Sequence, residues 1–114
     1  MHELGVAFEI IKTIEDFAKD KDVKKVTKTV LQIGEVSTIV TSYFEDVWKW
    51  ATDKSEIMKG SKLVIEPVKA ITVCEDCNKT YDTIKFGKEC PYCQSPNTHL
   101  VQGNEMNIKE IEVE

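Results

Sequence analysis

Two short cysteine pairs limit what this chain can fold into more than any other feature. They read Cys74-x2-Cys77-x12-Cys90-x2-Cys93. A CxxC turn sets two thiolates on one side of a tight loop. Two such turns facing each other bring four sulfurs to the corners of a tetrahedron, the arrangement Zn2+ takes in structural sites. The surrounding residues suit tight turns: Asn78 after the first pair, Gly87 before the second, Pro91 inside it. The stretch between the pairs has room for a short hairpin over residues 80–86. A redox CxxC would stand at a helix N-terminus beside a βαβ unit, and no such context surrounds these pairs. Four thiolates leave no open coordination position, so Cys74, Cys77, Cys90 and Cys93 are expected to hold a structural Zn2+ rather than a catalytic one.

Disulfides are the competing use of four cysteines, and they belong to secreted chains. The N-terminus lacks a basic-then-apolar signal pattern, and no apolar run is long enough for a membrane span. The sequence therefore reads as cytoplasmic, with its thiols reduced. The formal net charge is −5, and all 15 basic residues are Lys. Without Arg the chain has no planar fork for phosphate or guanine edges. An acidic balance also argues against binding nucleic acid through phosphates. A zinc-ribbon nucleic-acid module is thus disfavoured. So is a metal-dependent enzyme, since no nucleophile–base arrangement or phosphate-binding glycine loop is visible.

The chain opens with a helical pattern in which Leu4, Ala7, Phe8, Ile11, Ile14 and Phe17 form one apolar face. Residues 23–36 are rich in β-branched types and predict a strand with Thr27, Thr29, Leu31 and Ile33 on one side. Lys24, Lys25 and Lys28 read as a solvated strand edge. Ser42 and Glu45 have the spacing of a capping box. Behind them Phe44, Val47, Trp48 and Ala51 predict a second helix reaching about Met58, with Gly60 past its end. Trp48 falls on the apolar face of that helix. Trp50 falls off it, where it is either a partner contact or an ordinary exposed ring. Lys62–Val68 and Met106–Val113 read as further strands. The implied fold class is α+β: a small sheet of about three strands packed with two helices, carrying an inserted four-cysteine zinc-ribbon module. The last strand most simply returns to the first sheet.

The start Met1-His2-Glu3 offers a second metal reading. A bulky second residue favours retention of Met1. Its α-amine, the His2 backbone nitrogen and the His2 imidazole can close fused chelate rings, and the Glu3 backbone nitrogen or carboxylate lies close enough to add a ligand. Deprotonated amide nitrogens favour Ni2+ or Cu2+ over Zn2+. The plain alternative is an exposed histidine at a chain end, with Glu3 complementing a helix dipole.

Taken together, the Met1-His2-Glu3 start, the Ile33-Gly34-Glu35-Val36-Ser37 segment, the paired knuckles with Cys90-Pro91-Tyr92-Cys93, and the Gly103-Asn104-Glu105-Met106 approach to the last strand resemble one family across essentially the whole chain. That family is the hydrogenase nickel-incorporation proteins of the HypA/HybF type. The resemblance implies a nickel metallochaperone, not an enzyme. Met1, His2 and Glu3 would carry Ni2+ as cargo, and the four cysteines would hold structural Zn2+. It implies a nickel-binding α/β domain of residues 1–69 and 100–114 and a zinc-binding domain of residues 70–99. The implied partners are a HypB-type NTPase, the [NiFe]-hydrogenase large subunit and, in some bacteria, urease accessory proteins, with neither nucleic acid nor membrane. His99 lies just beyond the knuckles. It is either a surface or packing histidine or an additional nickel ligand that the zinc module could swing in. A homodimer is left open, because a module on two connections can be exchanged between protomers.

Overall fold

The computed structural model describes residues 3–114. It is an α+β protein whose described residues form three helices and two three-stranded sheets. The chain gathers into two compact units.

The first unit runs to Leu31 and also takes Thr38–Glu66 and Asn107–Glu114. Helix α1, Glu3–Asp20, buries Ala7, Ile10, Ile11, Ile14 and Ala18. Of the expected face Ala7, Ile11 and Ile14 are buried, whereas Leu4, Phe8 and Phe17 are exposed and Ile10 and Ala18 complete the buried stripe. Helix α1 packs against helix α2, with the Phe8 ring meeting Trp50 across that contact. Helix α2 spans Thr41–Thr52. Its N-cap is Val40, in extended backbone with no side-chain cap, so Ser42 and Glu45 form no capping box. The helix also stops at Thr52, short of Met58. The Thr52 hydroxyl donates to the Trp48 carbonyl at 2.8 Å, and the Ser55 hydroxyl donates to Glu15 Oε2 at 2.6 Å. Short hydroxyl side chains compete for such acceptors and favour helix ends. Gly60, at φ +79°, closes the turns that follow rather than α2 itself.

Strand β1, Val26–Gly34, is the middle strand of the order β2-β1-β6. Strand β2 is Lys62–Val68 and β6 is Met106–Val113. Lys25 and Glu114 exchange backbone hydrogen bonds while Gly34 N–H reaches the Glu105 carbonyl, so β6 runs antiparallel to β1. Thr29 bonds Ser61, and Glu35 N–H bonds the Val68 carbonyl, so β2 runs parallel to β1 across the α2 crossover. The last strand does return to the first sheet. Both faces of this strand carry buried residues, Val26 and Val30 on one and Thr29, Leu31 and Ile33 on the other, whereas Thr27 is half-exposed. The lysine edge is therefore corrected: Lys24 and Lys25 precede the strand, and Lys28 lies on the middle strand, 3.3 Å from Glu112 Oε2. Phe44 and Trp48, ring centroids 5.9 Å apart, are fully buried, as are Leu31, Met58 and Val26. Burial of one such side chain stabilises by about 2–3 kcal/mol. Trp48 is core, as expected. Trp50 is half-exposed, with its ring set edge-on to Phe8 and Lys54 Nζ 4.3 Å above it.

The second unit comprises Gln32–Ser37 and Pro67–Met106. Its sheet has the order β4-β3-β5. Strand β3, Ile71–Cys74, pairs antiparallel with β4, Thr80–Asp82, and with β5, Thr98–Gln102. The hairpin expected over residues 80–86 is thus a different one. Its arms are β3 and β4, with the first cysteine turn between them, and residues 83–86 form a helical turn, α3. Asp82 caps that turn by accepting from the Ile84 N–H at 3.0 Å. Gly34 and Gly103 fix a close backbone crossing in this unit. A Cβ on Gly34 would lie 1.9 Å from the Gly103 carbonyl oxygen, and one on Gly103 would lie 2.4 Å from Ala70 Cα. The Glu35 carboxylate accepts from the Ala70 N–H at 3.0 Å beside this crossing.

Candidate metal centre

The two CxxC segments fold into the same turn. Cys74 N–H donates to the Lys79 carbonyl at 2.9 Å, and Asn78 N–H to the Cys74 carbonyl at 2.8 Å. At the second turn Cys90 N–H donates to the Ser95 carbonyl at 3.0 Å, and Gln94 N–H to the Cys90 carbonyl at 2.8 Å. The residue after each second cysteine takes the left-handed conformation, φ +61° at Asn78 and +62° at Gln94. Asn is suited to that region and Gln is not, so only the first of these was legible in the sequence.

The turns bring all four sulfurs within 4.8 Å of one another. Cys74 and Cys93 lie 3.6 Å apart, and Cys77 and Cys90 3.7 Å, each pair crossing between the two turns. Cys74 and Cys90 are buried, Cys77 is half-buried and Cys93 is exposed. Burial pushes the Cys90 thiol up, but the backbone N–H groups of Cys93 and Tyr92 outweigh it and bring it down to about 7. At Cys93 the Ser95 N–H favours the thiolate, but the adjoining Cys74 sulfur, burial and the other two sulfurs push the thiol up to about 12. The physical content is simple. Amides stabilise thiolate at each turn, yet four thiolates this close repel, and only a bound cation lets all four ionise together.

Other side chains tie the turns together. Asp76 in the first turn accepts from the Ser95 hydroxyl and from Asn97 Nδ2 beyond the second. Those bonds, Ser95 foremost, hold the Asp76 carboxyl below its ordinary value. Lys79 Nζ lies 4.8 Å from the Tyr92 ring centroid, again across the turns. Tyr81 is the buried ring beside Cys74 and Cys90, and its hydroxyl donates to the Gly87 carbonyl at 2.9 Å. None of these roles was read from the sequence. Asp76 and Asn97 are turn-type residues whose partners lie too far along the chain for spacing to reveal.

His99 lies on β5 opposite Val73, exposed, with Nδ1 joined to the Glu75 carboxylate. The structure does not bring it into the sulfur cluster. Glu3 is buried in the first turn of α1. Met1 and His2, the other two residues of the N-terminal metal reading, lie outside the described residues.

Residues 1–113 match the family described as hydrogenase/urease nickel incorporation, metallochaperone, HypA. The chain belongs to the HypA family. Members of this family are nickel metallochaperones and maturation factors, not catalysts. A hydrogenase maturation factor HypA from Psychromonas ingrahamii is 36% identical over 114 residues, covering 100% of this chain and 99% of that one. One from Aquifex aeolicus is 30% identical over 114 residues, covering 100% and 98%. The solution structure of the nickel metallochaperone HypA from Helicobacter pylori superposes with a TM-score of 0.74 at 30% identity, covering 99% of this chain and 97% of that one. As a HypA, this chain is a nickel-incorporation factor for hydrogenase maturation. No helix among the described residues is long and apolar enough to cross a membrane.

Proposed function

We propose that this HypA carries Ni2+ on Met1, His2 and Glu3 and passes it, with a HypB-type NTPase, to the [NiFe]-hydrogenase large subunit in the cytoplasm. The observation that carries this reading is the family match over residues 1–113 on a chain that begins Met1-His2-Glu3. A free α-amine, an imidazole and backbone nitrogen supply the hard-to-borderline donors that Ni2+ favours. Glu3 opens α1 and is buried in its first turn. The site is loaded and unloaded by competition with protons at the amine and imidazole, so acid releases nickel.

The same reading gives the four cysteines a resident Zn2+. Their crossing separations of 3.6 and 3.7 Å match the edge of about 3.8 Å that follows from a Zn–S bond of about 2.3 Å in a tetrahedron. When bound, the ion would offset half of the charge of the four thiolates and would hold the two turns to each other. Its role is therefore structural, with the zinc-binding domain over residues 70–99 and the nickel-binding domain over the remainder. The His99 imidazole, its Nδ1 tied to Glu75, keeps Nε2 as the nitrogen through which it would reach nickel.

The test is calorimetric titration of Ni2+ into zinc-loaded protein with its native Met1, alongside His2→Ala. One-to-one binding at micromolar or tighter affinity that is lost in the variant is the expected result. Binding indifferent to His2 would move the cargo site elsewhere.

A further inference from the structure

The four sulfurs share one cluster but differ sharply in exposure. Cys74 and Cys90 have no accessible surface, Cys77 is half-buried, and Cys93 alone is exposed. The exposed sulfur also has a defined neighbour. Cys74 Sγ lies 3.6 Å away, on the other turn, and Cys77 and Cys90 form the second crossing pair at 3.7 Å. Reactivity of a thiolate toward oxidants follows its ionisation and its accessibility. A bound metal supplies ionisation to all four sulfurs equally, so accessibility decides among them.

We propose that Cys93 is an oxidation site for hydroperoxides, with Cys74 as the resolving cysteine, and that closing this pair expels the metal. The inference rests on the reading that the four cysteines hold one ion. In the first step the Cys93 thiolate attacks the distal oxygen of the hydroperoxide. An S–O bond forms, the O–O bond breaks, Cys93 becomes a sulfenic acid after taking a proton, and the peroxide leaves as water or an alcohol. Sulfur is oxidised by two electrons and the peroxide is reduced by two. In the second step the Cys74 thiolate attacks the Cys93 sulfur, an S–S bond forms, and hydroxide leaves and is protonated to water.

The backbone favours this crossing bond over one within a turn. Each turn is pinned by paired hydrogen bonds, Cys74 N–H to Lys79 and Asn78 N–H to Cys74 in one, and their counterparts at Cys90 in the other. A Cys74–Cys93 bond draws the two turns together and leaves both sets intact. It also leaves only Cys77 and Cys90 as thiolates, half of what a closed tetrahedral site needs. The ion departs, and a second equivalent of oxidant can close Cys77–Cys90. The Asp76 bonds to Ser95 and Asn97 hold the turns in register meanwhile.

The experiment starts from full-length protein whose metal content has been measured by elemental analysis. Protein isolated with no metal on its thiols would remove the premise and leave the site reading itself at fault. Metal-loaded protein is treated with less than one equivalent of hydrogen peroxide, and released metal is followed with a chromophoric chelator while disulfides are mapped by peptide mass spectrometry. Cys74–Cys93 should be the first crosslink, formed one-for-one with metal release, and a reductant plus metal should reverse both. Cys93→Ser should abolish trapping of a sulfenic acid by dimedone and slow peroxide-driven release at least tenfold. Mapping on the native chain decides the question even if that variant folds poorly. First oxidation at Cys77, crosslinks within either CxxC pair, or crosslinking without metal loss would overturn the proposal.

Discussion

Trp48 and Tyr81 are each the chief buried ring of their own unit, and their surroundings differ in kind. Trp48 packs at a tilt against Phe44 in a unit whose other fully buried side chains include Leu31, Met58 and Val26. Tyr81 is clustered with Cys74, Cys90 and Cys77, and three of the four members of that cluster are thiols. The first unit can gain its stability from apolar area alone. The second has too little to bury, as small scaffolds generally do, and spends its sequence on turns, amide-to-sulfur bonds and hydroxyl links. The lesson is that one chain of 114 residues uses two separate solutions to the entropy of folding.

The sharpest way to break that contrast is to remove the metal. A structural Zn2+ supplies on the order of 10 kcal/mol of folding free energy in small modules. Stripping it with a strong chelator should collapse amide protection at Cys74, Asn78, Cys90 and Gln94 while protection at Leu31, Phe44 and Trp48 persists in hydrogen exchange. Uniform loss across the chain would show that the two units do not differ as described. Acid should act in the same sense. Cys90 is held down at about 7 before any ion binds. A thiol depressed in the folded state stabilises fully above its ordinary value of 9.0 and loses that contribution as pH falls through about 7. Protons compete with the ion for all four thiols, so acidification should release metal, as followed with a chromophoric chelator.

The converse change is Trp48→Ala, which should cost roughly 3–5 kcal/mol in urea unfolding. The four-cysteine unit should keep its metal at low denaturant. Metal loss in proportion to the lost stability would argue against separate solutions. At the small end stands Gln94→Asn. It keeps the turn and suits the left-handed backbone better, so it should stabilise metal-loaded protein by about half a kcal/mol. The equivalent exchange at Asn78, to Gln, should destabilise by a similar amount. Unequal responses at the two turns would show that their matching hydrogen bonds conceal different strain.

Much of this was legible in the sequence, for reasons that differ by element. The cysteine spacing carried the sulfur cluster because a CxxC turn is largely local: the paired backbone bonds of Cys74 with Lys79 and Asn78, and of Cys90 with Ser95 and Gln94, join residues at most five apart. Trp48 was legible as core because it repeats the Phe44 face one turn later. The α1 face was legible only in part: Ala7, Ile11 and Ile14 are buried as expected, but the rings at Phe8 and Phe17 fit the same apolar periodicity and are exposed. The end of α2 was missed because Ser55 finds Glu15 on a different helix. The middle position of β1 depends on β6, the last strand to be made, so Lys28 could not announce its pairing with Glu112. Asp76 with Ser95 and Asn97 failed for the same reason of distance along the chain.

The crossing of Gly34, Ala70 and Gly103 has a topological consequence. Between Ala70 and Gly103 the chain is nearly a closed ring, its two ends touching backbone to backbone with no room for a single added carbon. A segment with joined ends behaves as a cassette. Outside the two cysteine turns its interior can lengthen, shorten or change sequence at little entropic cost, because loop closure varies only slowly with length. The clasp admits no such freedom. Variation among chains of this architecture should therefore accumulate inside the ring between the cysteine turns and stop at Gly34, Gly103 and the four cysteines.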